Sequence, residues 1–270
     1  MVRTDQGCVP HSLTRSRDST LTRSIDLLKA LALRGGVLLR RVPPGLHGDP
    51  FADQVRLLGA MNVRKILDVG AYYGETALLY RRLFPIAEVH CFEPVAESFA
   101  RLRQAVAGDD RIAANRLGLG DSIGPVDVYV NRLAATSSRY RPATTAGEIV
   151  PSEFLDPVGR DTADSTTVDE YCRQRGIDRI EILKLDIQGG EVAALRGAGR
   201  MLAERRISLV YVELLVGALY EGQGTAGETM RALEVHGYRL YGLYNLVYGR
   251  DSSLYQMDAI YLSPQIRIRS

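Results

Sequence analysis

The chain has 270 residues, of which 46% are hydrophobic and 24% charged, a balance at which one sizeable α/β domain buries its own core. The net charge of +2 is too near balance to suggest a nucleic-acid binder. The three cysteines, Cys8, Cys91 and Cys172, are too few and too far apart for a disulfide framework or a zinc finger. A reducing, cytoplasmic setting is therefore expected.

Arg3, Arg15, Arg17 and Arg23 crowd the N-terminus, and residues 1–20 read as a flexible basic tail. Arg15, Ser16, Arg17 and Asp18 stand where the apolar part of a secretory signal would begin, so none is expected. Residues 21–62 read as an N-terminal helical extension. Leu21, Ile25, Leu28 and Leu31 share one face of a first helix, and Pro43-Pro44-Gly45 breaks the pattern. Asp49-Pro50 then caps and opens a second helix running to about residue 61. The apolar run 27–39 contains Lys29, Arg34 and Gly35-Gly36, which makes it too short and too interrupted for an integral membrane segment.

From residue 63 to 270 short apolar runs alternate with helical stretches, the pattern of βαβ units and a mostly parallel sheet. Strands are expected over 65–69, 88–92, 111–117, 181–185 and 208–214, with closing strands over 239–244 and 256–262 and an extra one over 126–131. Helices are expected over 75–84, 96–107, 167–175, 190–204 and 225–236, the last ended by Gly237 as a left-handed cap. Residues 132–165, rich in Ser, Thr, Pro and Arg, read as a long functional or mobile loop.

The sharpest local pattern is Leu67-Asp68-Val69-Gly70-Ala71-Tyr72-Tyr73-Gly74-Glu75-Thr76, an apolar strand running through two glycines into a helix. Gly70 permits a tight turn and leaves bare backbone for a ligand, Gly74 permits close packing, and the free N–H groups of the helix start suit an anionic group. A dinucleotide site needs a glycine where Tyr72 stands, because the pyrophosphate approaches there. S-adenosylmethionine has no pyrophosphate and tolerates that side chain. Asp68 is placed to meet its ammonium end, with Ala71, Tyr72 and Thr76 around the turn. Glu93 in Cys91-Phe92-Glu93-Pro94 ends the second strand, where a carboxylate accepts both ribose hydroxyls and Pro94 directs the next segment. Gly120 and Asp121, in Leu117-Gly118-Leu119-Gly120-Asp121, stand where an adenine ring and its amino group would be received; a plain turn is nearly as good a reading.

In Ile182-Leu183-Lys184-Leu185-Asp186-Ile187-Gln188-Gly189-Gly190-Glu191 a buried strand ends in a carboxylate before a glycine turn opens a helix. Ligands of open α/β sheets bind at the carboxyl ends of strands, so Asp186 is placed beside the cofactor, with Glu213 at the end of the neighbouring strand. The pair can coordinate a divalent cation such as magnesium, share a proton, or orient an attacking hydroxyl. Asp186 is the first candidate for catalysis, Glu213 the second and Glu191 the third, although a carboxylate at a helix N-terminus is also favoured there without chemistry. Lys184 alternates with Leu183 and Leu185 and reads as structural.

These segments in this order, together with Thr167-Val168-Asp169-Glu170-Tyr171, resemble the FkbM-type methyltransferases over roughly residues 64–262. The resemblance implies a Rossmann-like class I methyltransferase fold, with a seven-stranded, mostly parallel sheet carrying helices on both faces. It also implies S-adenosylmethionine as donor and O-methylation of a hydroxyl on a sugar, glycolipid, polysaccharide or natural product. That family usually carries Asn at the position of Tyr72. The acceptor is expected under residues 132–160 and the glycine-rich loop near Tyr220, with Ser137, Ser138 and Arg139 offering hydroxyls and a cation. An N-methyltransferase, a nucleotide-dependent oxidoreductase and a non-catalytic protein on the same fold are the competing readings; a homo-oligomer is compatible with all of them.

Overall fold

The computed structural model describes residues 48–59 and 61–267, together with Lys29, Ala32 and Arg34. The expected basic tail and the first helix of the extension lie outside the described residues, apart from those three positions. The chain divides into two units, residues 1–46 and 47–270.

The second unit opens with α1 (Pro50–Leu58), where Asp49 accepts from the N–H groups of Phe51 and Ala52 at 2.8 Å each. This helix packs onto the sheet body: Phe51 meets the rings of Tyr80 and Tyr211 edge-on, and Gln54 accepts from the Tyr80 hydroxyl at 3.1 Å. The alternation expected from residue 63 onward then appears as β1 (Lys65–Val69), α2 (Glu75–Leu83), β2 (Glu88–Phe92), α3 (Ala96–Val106) and β3 (Ile112–Asn115). After an inserted segment come α5 (Val168–Arg175), β7 (Ile180–Leu185), α6 (Glu191–Arg196), α7 (Gly199–Ala203), β8 (Ile207–Leu215), α8 (Ala226–Glu234), β9 (Arg239–Tyr248) and β10 (Leu254–Leu262). Local chemistry sets several of these ends. Thr167 caps α5 on the Glu170 N–H, Thr225 and Glu228 form a reciprocal capping box on α8, and Gly237 takes φ +82° just beyond it.

The main sheet has the order β3-β2-β1-β7-β8-β10-β9. β10 runs antiparallel to both its neighbours and the remaining pairings are parallel. This is the seven-stranded class I methyltransferase arrangement. The chain moves outward from β1 through β2 to β3, then returns to place β7 on the other side of β1. The order therefore reverses between β1 and β7, and the crevice at their carboxyl ends is where open α/β sheets receive ligands. β7 and β8 are buried along their whole length, as strands covered on both faces must be.

Three elements differ from those expected. The strand expected over 111–117 divides at Arg116: β3 stays in the main sheet, and β4 (Leu117–Leu119) joins a second, three-stranded sheet of order β4-β6-β5. That sheet is completed by β5 (Gly124–Asn131) and β6 (Pro157–Thr166), so part of the stretch expected to be a loop is a strand. A short helix α4 (Ala146–Ile149) lies within the same stretch. β6 carries only Ala163 and Thr166 as buried side chains, too little apolar alternation to announce a strand. The single helix expected over 190–204 is two, α6 and α7, and between them Gly197 passes the carbonyl of Gly120 so closely that a Cβ would lie 2.0 Å from its oxygen.

Candidate active site

A cavity of about 240 Å³ occupies the crevice between β1 and β7. Its floor is Val69–Tyr72, Glu93–Val95 and Asp186–Gln188; the small sheet supplies one wall through Leu117–Leu119, Val126 and Val128, and Ser137–Arg139 closes it.

The turn after β1 is held from two sides. Gly70 and Ala71 donate to the Phe92 carbonyl at 3.0 Å each, and a Cβ on Gly70, which has φ +77°, would lie 1.8 Å from the Asp186 carbonyl oxygen. Tyr72 also adopts a left-handed conformation, φ +49°, which sends its N–H to Glu93 Oε2 at 3.1 Å. Its ring stacks on Tyr73 with centroids 3.6 Å apart. Glu93 Oε1 accepts from the Val95 N–H at 2.9 Å, so backbone donors fix both oxygens at the cavity wall. Burial pushes this carboxyl up to about 7, against the pull of those two N–H groups.

Lys184 joins the two strands. Its ammonium donates to the Gly70 carbonyl at 2.8 Å and pairs with Asp68 Oδ1 at 3.2 Å and Asp186 Oδ2 at 3.5 Å. Its alternation with two leucines suggests a structural role, yet the side chain lines the cavity. The spacing of two between Lys184 and Asp186 puts them on one face, and that is the signal the sequence carries for it. The two carboxylates hold Lys184 protonated, well above the ordinary lysine range, against the cost of its burial. Asp68 is fully buried behind Lys184 and does not line the cavity. Burial raises its carboxyl and Lys184 opposes the rise.

Beyond β7, Gln188 has φ +54° and its side chain ties three elements together. Its amide donates to Asp186 Oδ1 at 3.2 Å and to Glu213 Oε2 at 2.9 Å, and its carbonyl accepts from the Tyr220 hydroxyl at 2.9 Å. The backbone carbonyl of Gln188 accepts from Ser138 Oγ at 2.7 Å. Gln256 donates to the other oxygen of Glu213 at 2.7 Å. Glu213 is buried and outside the lining; burial and then the charges of Asp186, Glu191 and Asp258 hold its carboxyl far above the usual range. Glu191, also buried and outside the lining, accepts from the Ile187 N–H at 2.8 Å, and burial raises it to about 7. Asp186 is the member of this acidic set open to the cavity, its side chain 44% exposed.

Of the residues singled out in the sequence, the cavity brings together Gly70, Ala71, Tyr72, Thr76, Glu93, Pro94, Asp186, Ser137, Ser138 and Arg139. Asp68, Gly74, Gly120, Asp121, Glu191, Glu213 and Tyr220 lie outside its lining. Gly74, φ +98°, serves packing: a Cβ there would lie 2.9 Å from the Leu102 side chain. Leu117–Leu119 line the wall in place of Gly120 and Asp121. Asp186 and Glu213 do not fit a divalent ion, because the Gln188 amide donates to both carboxyls in the position a shared cation would need. Among the described residues no group of three or more His, Cys, Asp or Glu is placed to hold a metal.

Residues 68–240 match the family described as the methyltransferase FkbM domain, well over half of the chain. The chain belongs to the FkbM-type methyltransferase family. The cavity between β1 and β7 falls at the motifs of the matched region. Among its relatives is the 2-O-methyltransferase NoeI of Sinorhizobium fredii, 27% identical over 165 residues, spanning 58% of this chain and 66% of NoeI. The 31-O-demethyl-FK506 methyltransferase FkbM of Streptomyces tacrolimicus is 24% identical over 79% of this chain and 90% of its own length. Methyltransferase sdnD of Sordaria araneosa is 27% identical over 49% of this chain and 59% of its own. The aligned segments thus span less than two thirds of NoeI and of sdnD. A solved structure of a putative O-methyltransferase from Klebsiella pneumoniae aligns over 91% of this chain and 96% of its own, with 13% identity and a TM-score of 0.44. Among the described residues no helix is long and apolar enough to cross a membrane.

Proposed function

We propose that this FkbM-type enzyme methylates a hydroxyl group on a sugar, glycan or hydroxylated natural product. The carrying observation is that Glu93 and Asp186, from opposite sides of the β1 turn, face one cavity at the strand-order reversal. The residues fit S-adenosylmethionine. The fixed Glu93 carboxylate suits the two ribose hydroxyls, the apolar surfaces of Phe92, Leu117 and Leu119 suit the adenine, and the first-turn N–H groups of α2, beside Glu75 and Thr76 in the lining, suit the methionyl carboxylate. When bound, the donor supplies an electrophilic methyl group on a sulfonium.

The chain's own residues do the positioning. Lys184 and Gln188 each hold one oxygen side of Asp186, fixing its orientation toward the cavity. Asp186 accepts the hydrogen bond of the acceptor hydroxyl and aligns its oxygen with the methyl carbon. As the acceptor oxygen gained the methyl group that the bound donor would supply, its sulfur keeping the bonding pair, Asp186 would take up the hydroxyl proton. Alignment supplies most of the acceleration, because a well-oriented pair of reactants replaces a bimolecular encounter. The names of NoeI and FkbM, both O-methyltransferases by position, favour oxygen over nitrogen as the acceptor atom. Glu191 and Glu213, closed off from the cavity, act through the shape of the Asp186 loop.

The test is release of S-adenosylhomocysteine from S-adenosylmethionine across a panel of sugars, hydroxylated metabolites and matched amines. Turnover of hydroxyl acceptors that falls at least a hundredfold in Asp186→Ala, with donor binding retained, is the expected result. Preferential turnover of amines, or full activity in Asp186→Ala, overturns it.

A further inference from the structure

The charged side chains of the cavity are almost all accounted for. Lys184 is paired with Asp68 and Asp186, and Glu93 is held by two backbone N–H groups. The exceptions are Glu75, which is exposed, and the one cation left over, Arg139. It lines the cavity and is half-buried, yet among the described residues no carboxylate lies within ion-pair distance of it and no protein acceptor takes its hydrogens. Its neighbour is the ring of Tyr140, with the guanidinium carbon 5.5 Å from the centroid. In the same insertion Arg116 pairs with Asp161 and Arg132 with Asp156, both at 2.8 Å, while the exposed Arg141 and Arg160 lie over the Tyr129 ring. The planar fork of a guanidinium is suited to carboxylate, sulfate and phosphate.

The surroundings make room for it. Arg139 Nη1 lies 3.0 Å from the point where a Cβ on Gly120 would be, and Ser165 Oγ lies 3.6 Å from that point. Gly120, which does not line the cavity, thus keeps open the slot that the guanidinium occupies, and Ser165, which does line it, sets a hydroxyl beside the cation. The side chains next to Ser165 on that wall, Val126 and Val128, offer an anion nothing, and Leu117 and Leu119 beyond them are left to the adenine.

We propose that Arg139 and Ser165 form an anion subsite of the acceptor pocket, so that the acceptor carries a carboxylate, sulfate or phosphate group that Arg139 pairs with while its hydroxyl reaches Asp186. This rests on the methyl-transfer reading of the same cavity. The acceptor is then an acidic sugar or an anionic conjugate of a hydroxylated metabolite.

The experiment titrates inorganic sulfate, by calorimetry, into the full-length protein both free and saturated with S-adenosylhomocysteine. Sulfate is expected to bind the saturated protein in the millimolar range, at least tenfold more weakly in Arg139→Gln and several-fold more weakly in Ser165→Ala. Arg139→Lys retains part of the binding, and the affinity for S-adenosylhomocysteine stays within twofold in all three variants. Sulfate binding that is absent in the native protein, or equal in Arg139→Gln, overturns the subsite. Displacement of S-adenosylhomocysteine by sulfate, or a tenfold loss of its affinity in Arg139→Gln, also overturns it and assigns Arg139 to the methyl donor. Complete absence of S-adenosylhomocysteine binding sinks the methyl-donor reading instead, and the titration of the free protein still decides the subsite. Methyl α-glucoside compared with its uronic acid tests the acceptor class: a preference for the uronic acid that collapses in Arg139→Gln supports the proposal, and a preference for the neutral sugar refutes it.

Discussion

Replacing Lys184 by methionine removes the cation on which the β1–β7 junction is built. The ammonium donates to the carbonyls of Gly70 and Val69 and pairs with Asp68 Oδ1 and Asp186 Oδ2. Asp68 is fully buried, and Lys184 is its one ion-pair partner among the described residues. Removing one partner of a buried ion pair costs about 3–5 kcal/mol, because the other charge is left in a medium that cannot solvate it. Against a total stability of about 5–15 kcal/mol for a domain, Lys184→Met is expected to be the most damaging single change that leaves the side-chain volume nearly constant. Asp68→Asn in the same chain removes the stranded charge and is expected to recover at least about 2 kcal/mol, since replacing both members of a buried pair is often near neutral. The effect has a sign in pH. Burial holds the folded-state pKa of Asp68 above its unfolded value, so the folded state binds the proton more tightly and stability falls as pH rises from about 4 through the folded pKa. The loss in Lys184→Met is therefore smaller at pH 5 than at pH 8. The assay is urea unfolding followed by tyrosine fluorescence, the chain having 14 Tyr and no Trp, with the midpoint compared at constant slope. A cost below about 1 kcal/mol, or no recovery in the double variant, refutes the account.

Four further outcomes are expected. Glu93→Gln weakens S-adenosylhomocysteine binding about ten- to a hundredfold, the worth of a charge-assisted hydrogen bond, measured by calorimetry. Because the free Glu93 carboxyl sits near 7 and its ionised form accepts the ribose hydroxyls, native affinity rises with pH and levels off above 7, and Glu93→Gln loses that slope. Gly70→Ala, forced into φ +77° and against the Asp186 carbonyl, costs at least about 2 kcal/mol in thermal or urea unfolding and abolishes donor binding. Gln188→Leu lowers kcat about ten- to a hundredfold while leaving the donor KM nearly unchanged, because it strips a hydrogen-bond donor from both Asp186 and Glu213. Exhaustive chelation leaves turnover unchanged, given that the Gln188 amide stands between the two carboxyls; a loss restored by magnesium refutes that reading.

The parallel core was legible because its strands announce themselves by composition. Ile182 to Leu185 and Leu209 to Leu215 are runs that only a strand buried on both faces needs, and Gly70 and Glu93 sit at strand ends with the spacing a mononucleotide half requires. Of the small sheet, the strand over 126–131 was legible but β6 was not, because β6 lies largely exposed and spends its side chains on Arg160, Asp161, Thr162 and Asp164. Its fold is dictated by pairing with β5 from Gly124↔Ser165 to Asn131↔Pro157, a long-range register that no local window contains. The consequence for the site is direct: the cavity's apolar wall comes from that sheet, so its motifs could be named from sequence but its shape could not.

The acidic residues divide for a reason that sequence spacing does not carry. Asp68, Glu191, Glu213 and Asp186 all stand at or near strand ends; the sequence places Asp68 at the cofactor's ammonium end and ranks Asp186, Glu213 and Glu191 in that order for catalysis. Burial separates them. Asp68 is committed to Lys184, Glu191 to the Ile187 N–H and Glu213 to two glutamine amides, and all three are closed to the cavity. A carboxyl so enclosed cannot exchange a proton with an acceptor in each turnover without first breaking the contacts that order the loop. Asp186 has the same neighbours, but its side chain is 44% exposed, so a proton it receives has an outlet to solvent. The buried acids also act on one another: Glu213 is raised by burial first and then by Asp186 and Glu191, so a proton held on Glu213 relieves the repulsion that a second charge beside Asp186 would impose. The carboxyl proposed to meet the acceptor therefore owes its position to Lys184 and Gln188, two residues that carry no negative charge.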